Sequence, residues 1–404
     1  MSNYYAPAFD RATPPHIVTL VLLAGVSAMN MSIFMSSLPQ MTKDFATEYS
    51  VMQLSISLYL LFTAGMQIII GPISDRFGRR PVVIGALSFF ALSSVGCYFA
   101  QSIETFLFFR MLQASVAVGM VLSRAIVRDV VPQNQAASTI GYVTMGMSFV
   151  PMFAPTVGGF LDEWFGWRSI FLFLAAFGAG LALLCWSDQG ETQRGGGLSF
   201  KEQIAGYPEL FTSVRFWGYA LAAAFASGAF FAFLGGSPYV ATNVFELEQT
   251  TTRYLFGIPA IGYFVGNLIS GRYSMRMGVD RMVLAGSIAL SFGMTLSLVL
   301  SFVGLGGPIS FFGCCLFVGL GNGMVLPNAT AGLLSVRPHL AGTASGVGGA
   351  IMIGGGAGLA ALSGTLLEQD HGSYPLQWVM LISALCSFVA ITRVIRREKE
   401  ISPA

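Results

Sequence analysis

The sequence predicts an all-α membrane protein in which twelve transmembrane helices form two pseudo-symmetric six-helix bundles. Three observations carry that reading. Hydrophobic residues make up 54% of the 404 and charged residues only 10%, against about a quarter charged in a soluble domain, so much of the surface has to face lipid. The apolar runs are continuous over the roughly 20 residues a helix needs to cross a bilayer core of about 30 Å, whereas barrel strands would alternate over about 10. Finally, the chain repeats: GPISDRFGRRPVVI at 71–84 returns as GRYSMRMGVDRMVL at 271–284, aligning Gly71 with Gly271, Ser74 with Ser274, Arg76 with Arg276 and Gly78 with Gly278. Gly119-Met120-Val121 recurs as Gly323-Met324-Val325 at nearly the same offset.

The spans are expected at 17–38, 51–72, 81–100, 105–127, 138–160, 167–186, 216–237, 252–272, 282–303, 308–334, 343–366 and 375–394. This gives an N-terminal bundle over 1–187, a polar linker over 188–215 and a C-terminal bundle over 216–404. Span one follows a polar start and lacks the small-residue site of a cleaved leader; it carries Asn30 and Ser32. Span two has a polar stripe, Ser55, Tyr59, Thr63 and Gln67, at the i, i+4 spacing of one helix face, which should face water or protein rather than lipid. Its end, GPISDRFGRR, packs Asp75, Arg76, Arg79 and Arg80 between and beside Gly71 and Gly78, with Asp75 expected just past the helix end.

Span four holds Arg110 with Gln113 near one end and Arg124, Arg128 and Asp129 near the other. A guanidinium inside a span is costly and marks a functional position unless it snorkels to the interface. Asp129, beside Arg124 and Arg128, is expected to be ionised and structural. In span five Pro151 and Pro155 interrupt the backbone ladder and Gly158-Gly159 allows close packing. Span seven is rich in Phe225, Phe230, Phe231 and Phe233. Span eleven presents Gly342, Gly346, Ala350, Gly354 and Gly358 every four residues, a bare face that needs a close neighbour.

Lys and Arg set the orientation. With the N-terminus inside, only Lys43, Arg168 and Arg253 fall outside and Arg110 within a span; the other seventeen of the 21 basic residues lie inside. Both termini are therefore expected in the cytoplasm. The net charge of +2 averages two faces and gives no argument for a nucleic-acid partner. Five cysteines fall in spans without CxxC spacing and three histidines are scattered, so neither a disulfide framework nor a metal site is expected. Gly356-Ala357-Gly358-Leu359-Ala360-Ala361 matches a dinucleotide pattern formally, but lies mid-span with no strand before it. No catalytic constellation is present, which excludes an enzyme reading, and no cofactor is implied.

GPISDRFGRRP resembles the loop signature of the major facilitator superfamily. Arg110 with Gln113 is similar to the R-x-x-Q pattern of its twelve-span drug:proton antiporters, and Ala154-Pro155-Thr156-Val157-Gly158-Gly159 to their antiporter motif. Ser123-Arg124-Ala125-Ile126-Val127-Arg128-Asp129 followed by Pro132, with Trp167-Arg168 and Phe171, resembles the Bcr/CflA efflux subfamily. The resemblance implies a multi-pass transporter of a bacterial-type inner (plasma) membrane that works by alternating access, as a monomer, on a small-molecule substrate, with protons as the coupling ion. It implies export of small amphipathic molecules, drugs or metabolites; the alternative is a permease or facilitator for an anionic metabolite or siderophore-like compound. Asp75 and its arginines become a gate between two states, and Asn30, Ser32, Tyr59, Arg110, Gln113, Arg124 and Asp129 become candidates for the cavity or coupling. One departure stands out. Ser32 occupies the place where this subfamily carries a span-one acid, which weakens a cationic-substrate site and favours a neutral or anionic substrate beside Arg110. Met275 stands where the second repeat would need the counterpart of Asp75.

Overall fold

The computed structural model describes residues 13–147, 150–193, 207–247, 249–337, 340–367 and 372–401. Residues 194–206 of the expected linker lie outside the described residues, as do 148 and 149 in the middle of span five.

Among the described residues the secondary structure is helical throughout. Span one is α1 (Ile17–Ser32), continued by a 3-10 turn and the short α2 (Leu38–Asp44). Spans two and three are α3 (Tyr49–Phe77) and α4 (Arg79–Phe99). Span four is α5 (Ile103–Leu112) and α6 (Val118–Val130), joined through a tight 3-10 stretch, Gln113–Ala117. Span five is α7 (Gln133–Met147) and α8 (Val150–Phe165), and span six is α9 (Arg168–Asp188). The second half runs α10 (Val214–Tyr239), α11 (Gln249–Phe256) with α12 (Ile258–Met277), α13 (Val279–Phe302), α14 (Pro308–Val336), α15 (Ala341–Leu367) and α16 (Tyr374–Ile401). Among the described residues ten helical segments, one of them running from α5 through α6, are long and apolar enough to cross a membrane; α1 is a shorter apolar helix, and span five, which contains 148 and 149, is not one of the ten.

The expected spans are borne out, and one boundary needs correction. Asp75 does not lie past the end of its helix; α3 continues through it to Phe77. Pro72 lies inside that helix, and the chain turns only at Gly78, whose φ of +96° suits a residue without a Cβ. Gly278 repeats the same conformation, φ +84°, between α12 and α13, so the repeat read in the letters is also a repeat in the backbone.

Twelve passes return the chain to the face from which it started, here called the terminal face. Within the first half α4 packs on α9 and α1 on α6 and α7; within the second α12 and α13 pack on α14, and α10 on α15 and α16. The halves meet through α3 with α15, α7 with α12 and α14, and α6 with α15. These meetings lie toward the terminal face. A Cβ on Gly346 would collide with the Gln67 carbonyl oxygen, and one on Gly141 with the Gly271 backbone. Ser345 Oγ donates to the Val121 carbonyl at 3.2 Å, and Ser138 Oγ donates to the Gly271 carbonyl. Farther along α15, Gly354 and Gly358 are exposed and a Cβ on either would meet nothing within 4 Å. The bare face of α15 thus has its close neighbour only along its first turns; the halves join at the terminal face and part beyond it.

Candidate functional site

At the terminal end of the seam, α3 delivers Asp75 and the Gly78 turn delivers Arg79 to the same buried point. Arg79 donates from one terminal nitrogen to Asp75 Oδ1 at 2.6 Å and to Ser74 Oγ at 2.6 Å, and from Nε to Asp129 Oδ2 of α6 at 2.9 Å. Asp75 and Arg79 are both buried. The other oxygen of Asp75, Oδ2, reaches across to the second half, where it accepts from the backbone N–H of Thr343 at 3.0 Å and from Thr343 Oγ1 at 3.1 Å. Thr343 lies in the first turn of α15, where the unsatisfied N–H groups and the helix dipole favour an anion. One carboxylate therefore ties a guanidinium on its own side to a helix N-terminus on the other.

Further groups complete this cluster. Glu191 Oε1 accepts from the Arg79 N–H at 2.9 Å and Oε2 from the Arg80 N–H at 3.2 Å, capping α4. Gln193 Nε2 donates to the Asp75 carbonyl at 3.4 Å, and Arg80 donates to the Trp186 carbonyl at 2.9 Å. Arg76 lies over the Phe77 ring at 5.3 Å. Asp129, expected beside Arg124 and Arg128, has Arg128 as an electrostatic neighbour but takes Arg79 as its hydrogen-bonded partner. Five helical residues separate 124 from 129, which turns their side chains to different faces. The Arg79 pairing joins residues 50 apart, and no local spacing announces it.

Toward the far face Arg110 is buried and makes four hydrogen bonds. Its NH1 donates to Asn30 Oδ1 at 2.8 Å and Gln113 Oε1 at 2.6 Å, its NH2 to the Asn30 carbonyl at 2.9 Å and its Nε to the Ser55 carbonyl at 3.3 Å. Phe34 and Tyr59 cover it at 4.3 and 4.2 Å from the ring centroids, a double cation–π stack. Gln113 passes the chain of bonds to Ser94 Oγ at 2.7 Å. Every hydrogen-bond partner named here is neutral, so α1, α3 and α5 are tied together around one guanidinium. Ser32 stays outside this group, its hydroxyl turned back to the Ala28 carbonyl at 3.0 Å.

Arg124 is placed differently. It sits on α6 at the seam and lines two cavities, one of about 10 Å³ with Ala24, Ser123, Ile140 and Thr144, and one of about 20 Å³ with Ala220, Ala329, Gly348 and Gly349. Tyr263 of α12 is its electrostatic neighbour. Ser55 Oγ, Thr63 Oγ1 and Gln67 Nε2 of the α3 stripe are buried without a hydrogen-bond partner. In span five a Cβ on Gly158 would collide with the Ile33 carbonyl oxygen, holding α8 close against span one. Gly159 follows it, and α8 runs unbroken past Pro151 and Pro155; the side chains of these prolines lie outside the described residues. Of the span-seven aromatics, Phe233 packs on Phe256 and Phe312 near the far face, and Phe230 stacks on Phe233. A groove of about 490 Å³ between α10 and α16, lined by Trp217, Leu221, Phe225, Leu385 and Val389, lies away from the seam. Among the described residues no cluster of His, Cys, Asp and Glu could hold a metal.

Glu191, Thr343 and Asp188 were not singled out from the sequence. Asp188 accepts from the His16 N–H at 2.9 Å and from Thr19 Oγ1 at 2.6 Å, capping α1 as Glu191 caps α4. The available signal was two acids in Asp188-Gln189-Gly190-Glu191 immediately after an apolar span, where two helix N-termini have to be satisfied.

The sequence profile described as "Major Facilitator Superfamily" matches residues 20–361. "Multidrug resistance protein D" of Escherichia coli (strain K12) is 29% identical over 382 residues, covering 94% of this chain and 96% of that protein. "Bicyclomycin resistance protein homolog" of Haemophilus influenzae is 25% identical over 391 residues, covering 94% and 96%. Among solved structures, the major facilitator proton:xylose symporter XylE bound to 6-bromo-6-deoxy-D-glucose superposes with a TM-score of 0.75 over 94% of this chain and 95% of that one, at 14% identity; this likeness concerns the fold.

Proposed function

The chain belongs to the Major Facilitator Superfamily, and from that premise we propose that it is a proton-linked secondary exporter of small amphipathic molecules, drugs included, working by alternating access with both termini in the cytoplasm. The observation that carries this reading is the asymmetry of the seam. The halves are tied at the terminal face from Asp75 to Thr343, with Arg79 and Asp129 holding Asp75 on the first-half side, and nothing packs on Gly354 and Gly358 farther along α15. That is one end state of a two-body rocker, open to the outside, with residues 1–187 and 216–404 as the moving bodies of a single monomer and 188–215 as their tether. The bonds across the seam exist only in this state, so they bias its population, and a bias of about 1.4 kcal/mol is already tenfold. Arg110 with Asn30, Tyr59 and Gln113 forms a buried knot that holds α1, α3 and α5 together as one body on the first-half side. The drug-resistance relatives support the cargo class.

Everted membrane vesicles test the proposal. An imposed proton gradient should drive uptake of amphipathic antibiotics, bicyclomycin among the panel, into vesicles carrying the chain, and a protonophore should abolish it. Uptake equal to that of vesicles lacking the chain, for every member of the panel, would overturn the exporter reading.

A further inference from the structure

The chain buries its guanidiniums in two ways. Arg79 is neutralised by two carboxylates, and Arg110 is held by four hydrogen bonds to neutral acceptors between two rings. Arg124 has neither arrangement: among the described residues it has no ion pair and no hydrogen bond, and Asp129, the acid nearest in sequence, is occupied by Arg79. It also sits at the boundary of the two moving bodies. One of its cavities is walled by the first half and the other by the second, the latter mostly by alanine and glycine. Arg124 is partly buried, and each cavity it reaches is about the size of one water molecule, so the guanidinium has room for few waters while the halves are together.

Burying an unpaired charge is strongly unfavourable. Parting of the halves at the terminal face would return Arg124 to water, so Arg124 works against the closed terminal face that Asp75 and Thr343 hold. A ligand that pairs with the guanidinium removes this opposition, and a ligand can shift a two-state equilibrium only by such a difference in interaction. The small side chains of Ala220, Ala329, Gly348 and Gly349 put no bulky group against the guanidinium, and Met352, also in that wall, leads along α15 toward the open stretch at Gly354.

Resting on the exporter reading above, we propose that Arg124 recognises a carboxylate on the exported amphiphile and that this pairing closes the terminal face behind the cargo. The cargo is thus an amphiphile with one anionic head, and the step it triggers is occlusion from the cytoplasmic side. Arg110, the cation the sequence suggested for an anionic cargo, is held by four hydrogen bonds between two rings, whereas Arg124 lines the cavities at the seam.

Two matched probes test this on the full chain in lipid nanodiscs: 11-(dansylamino)undecanoate and its uncharged carboxamide. Spin labels replacing Phe77 and Met277, repeat-related residues that are exposed at the ends of α3 and α12, report the separation of the halves after the native cysteines are replaced. The carboxylate should raise the ratio of closed to open distances at least fivefold, while the carboxamide and inorganic phosphate should leave it unchanged. Arg124→Gln should be closed without any probe and unresponsive to the carboxylate, whereas Arg124→Lys should retain the response. An equal response to the carboxamide, or an Arg124→Gln protein that responds like the parent, would overturn the proposal; a response to phosphate alone would mean an inorganic-anion site and overturn it as well. Gradient-driven uptake of an uncharged drug, measured on the same proteins in vesicles, reads the exporter function separately. If that uptake persists while the carboxylate response is missing, only the assignment of Arg124 falls.

Discussion

A carboxylate that accepts from a guanidinium on its own half and from a helix N-terminus on the other is sensitive to loss of charge rather than loss of shape. Asp75→Asn keeps the volume but weakens both bonds at once, since charge-assisted bonds are about twice as strong as neutral ones. Transport is expected to fall at least tenfold at normal membrane abundance, because about 1.4 kcal/mol of lost bias suffices; vesicle uptake normalised to protein level checks it. Met275→Ala, at the repeat-related position, should do much less, since Met275 is half-exposed and makes no such tie. Asp129→Asn leaves Arg79 with one carboxylate at a buried position, so the expected effect is on folded yield more than on the pH profile of transport. A pH profile that shifts while yield stays normal would instead make Asp129 a proton carrier. Arg110→Lys keeps the charge but cannot reach Asn30, Gln113 and the Ser55 carbonyl together, nor stack as a plane between Phe34 and Tyr59. It should lower uptake at least tenfold, and parent-like uptake would show that the fork geometry is dispensable.

At the scale of elements, span lengths and the two glycine turns were legible because both are local: about 20 apolar residues write a span, and a positive φ asks for glycine. The partners of the polar residues were not. Asp75 meets Thr343 at a separation of 268 residues and Arg79 meets Glu191 at 112, and composition along one helix carries no information about which helix faces it. The α15 stripe shows the limit well. Its four-residue period is uniform in sequence, yet Gly346 lies on the Gln67 backbone while Gly354 faces open space. Gly346→Ala should therefore destabilise the closed seam by about 1–3 kcal/mol, the usual cost of overpacking, read as a shift toward open distances between labels on α3 and α15. Gly354→Ala should leave the same distances unchanged, because in this state nothing stands where its Cβ would go.

For the whole molecule, the repeat foretold two related bundles, and the superposition on a solved transporter over nearly the full chain agrees with it. The side of the membrane expected for each face rests on basic residues alone and is testable directly. Cysteines introduced at 195 and 399 should react with an impermeant maleimide only in everted vesicles, and one replacing Glu246 only in intact cells; the reverse pattern at 195 would invert the topology. The seam has a last property that bears on speed. Where Gly346 touches the Gln67 carbonyl and Gly141 the Gly271 backbone, main chain lies against main chain, and few side chains, the Tyr142 ring on Gly271 among them, have to move before the bodies separate. Such a joint has little friction of its own: once the ties at Asp75 are undone, the halves can part as one plate lifts from another. The pace of the cycle is then set by a few charges, and it should respond to salt and cargo more readily than to changes in the surrounding core.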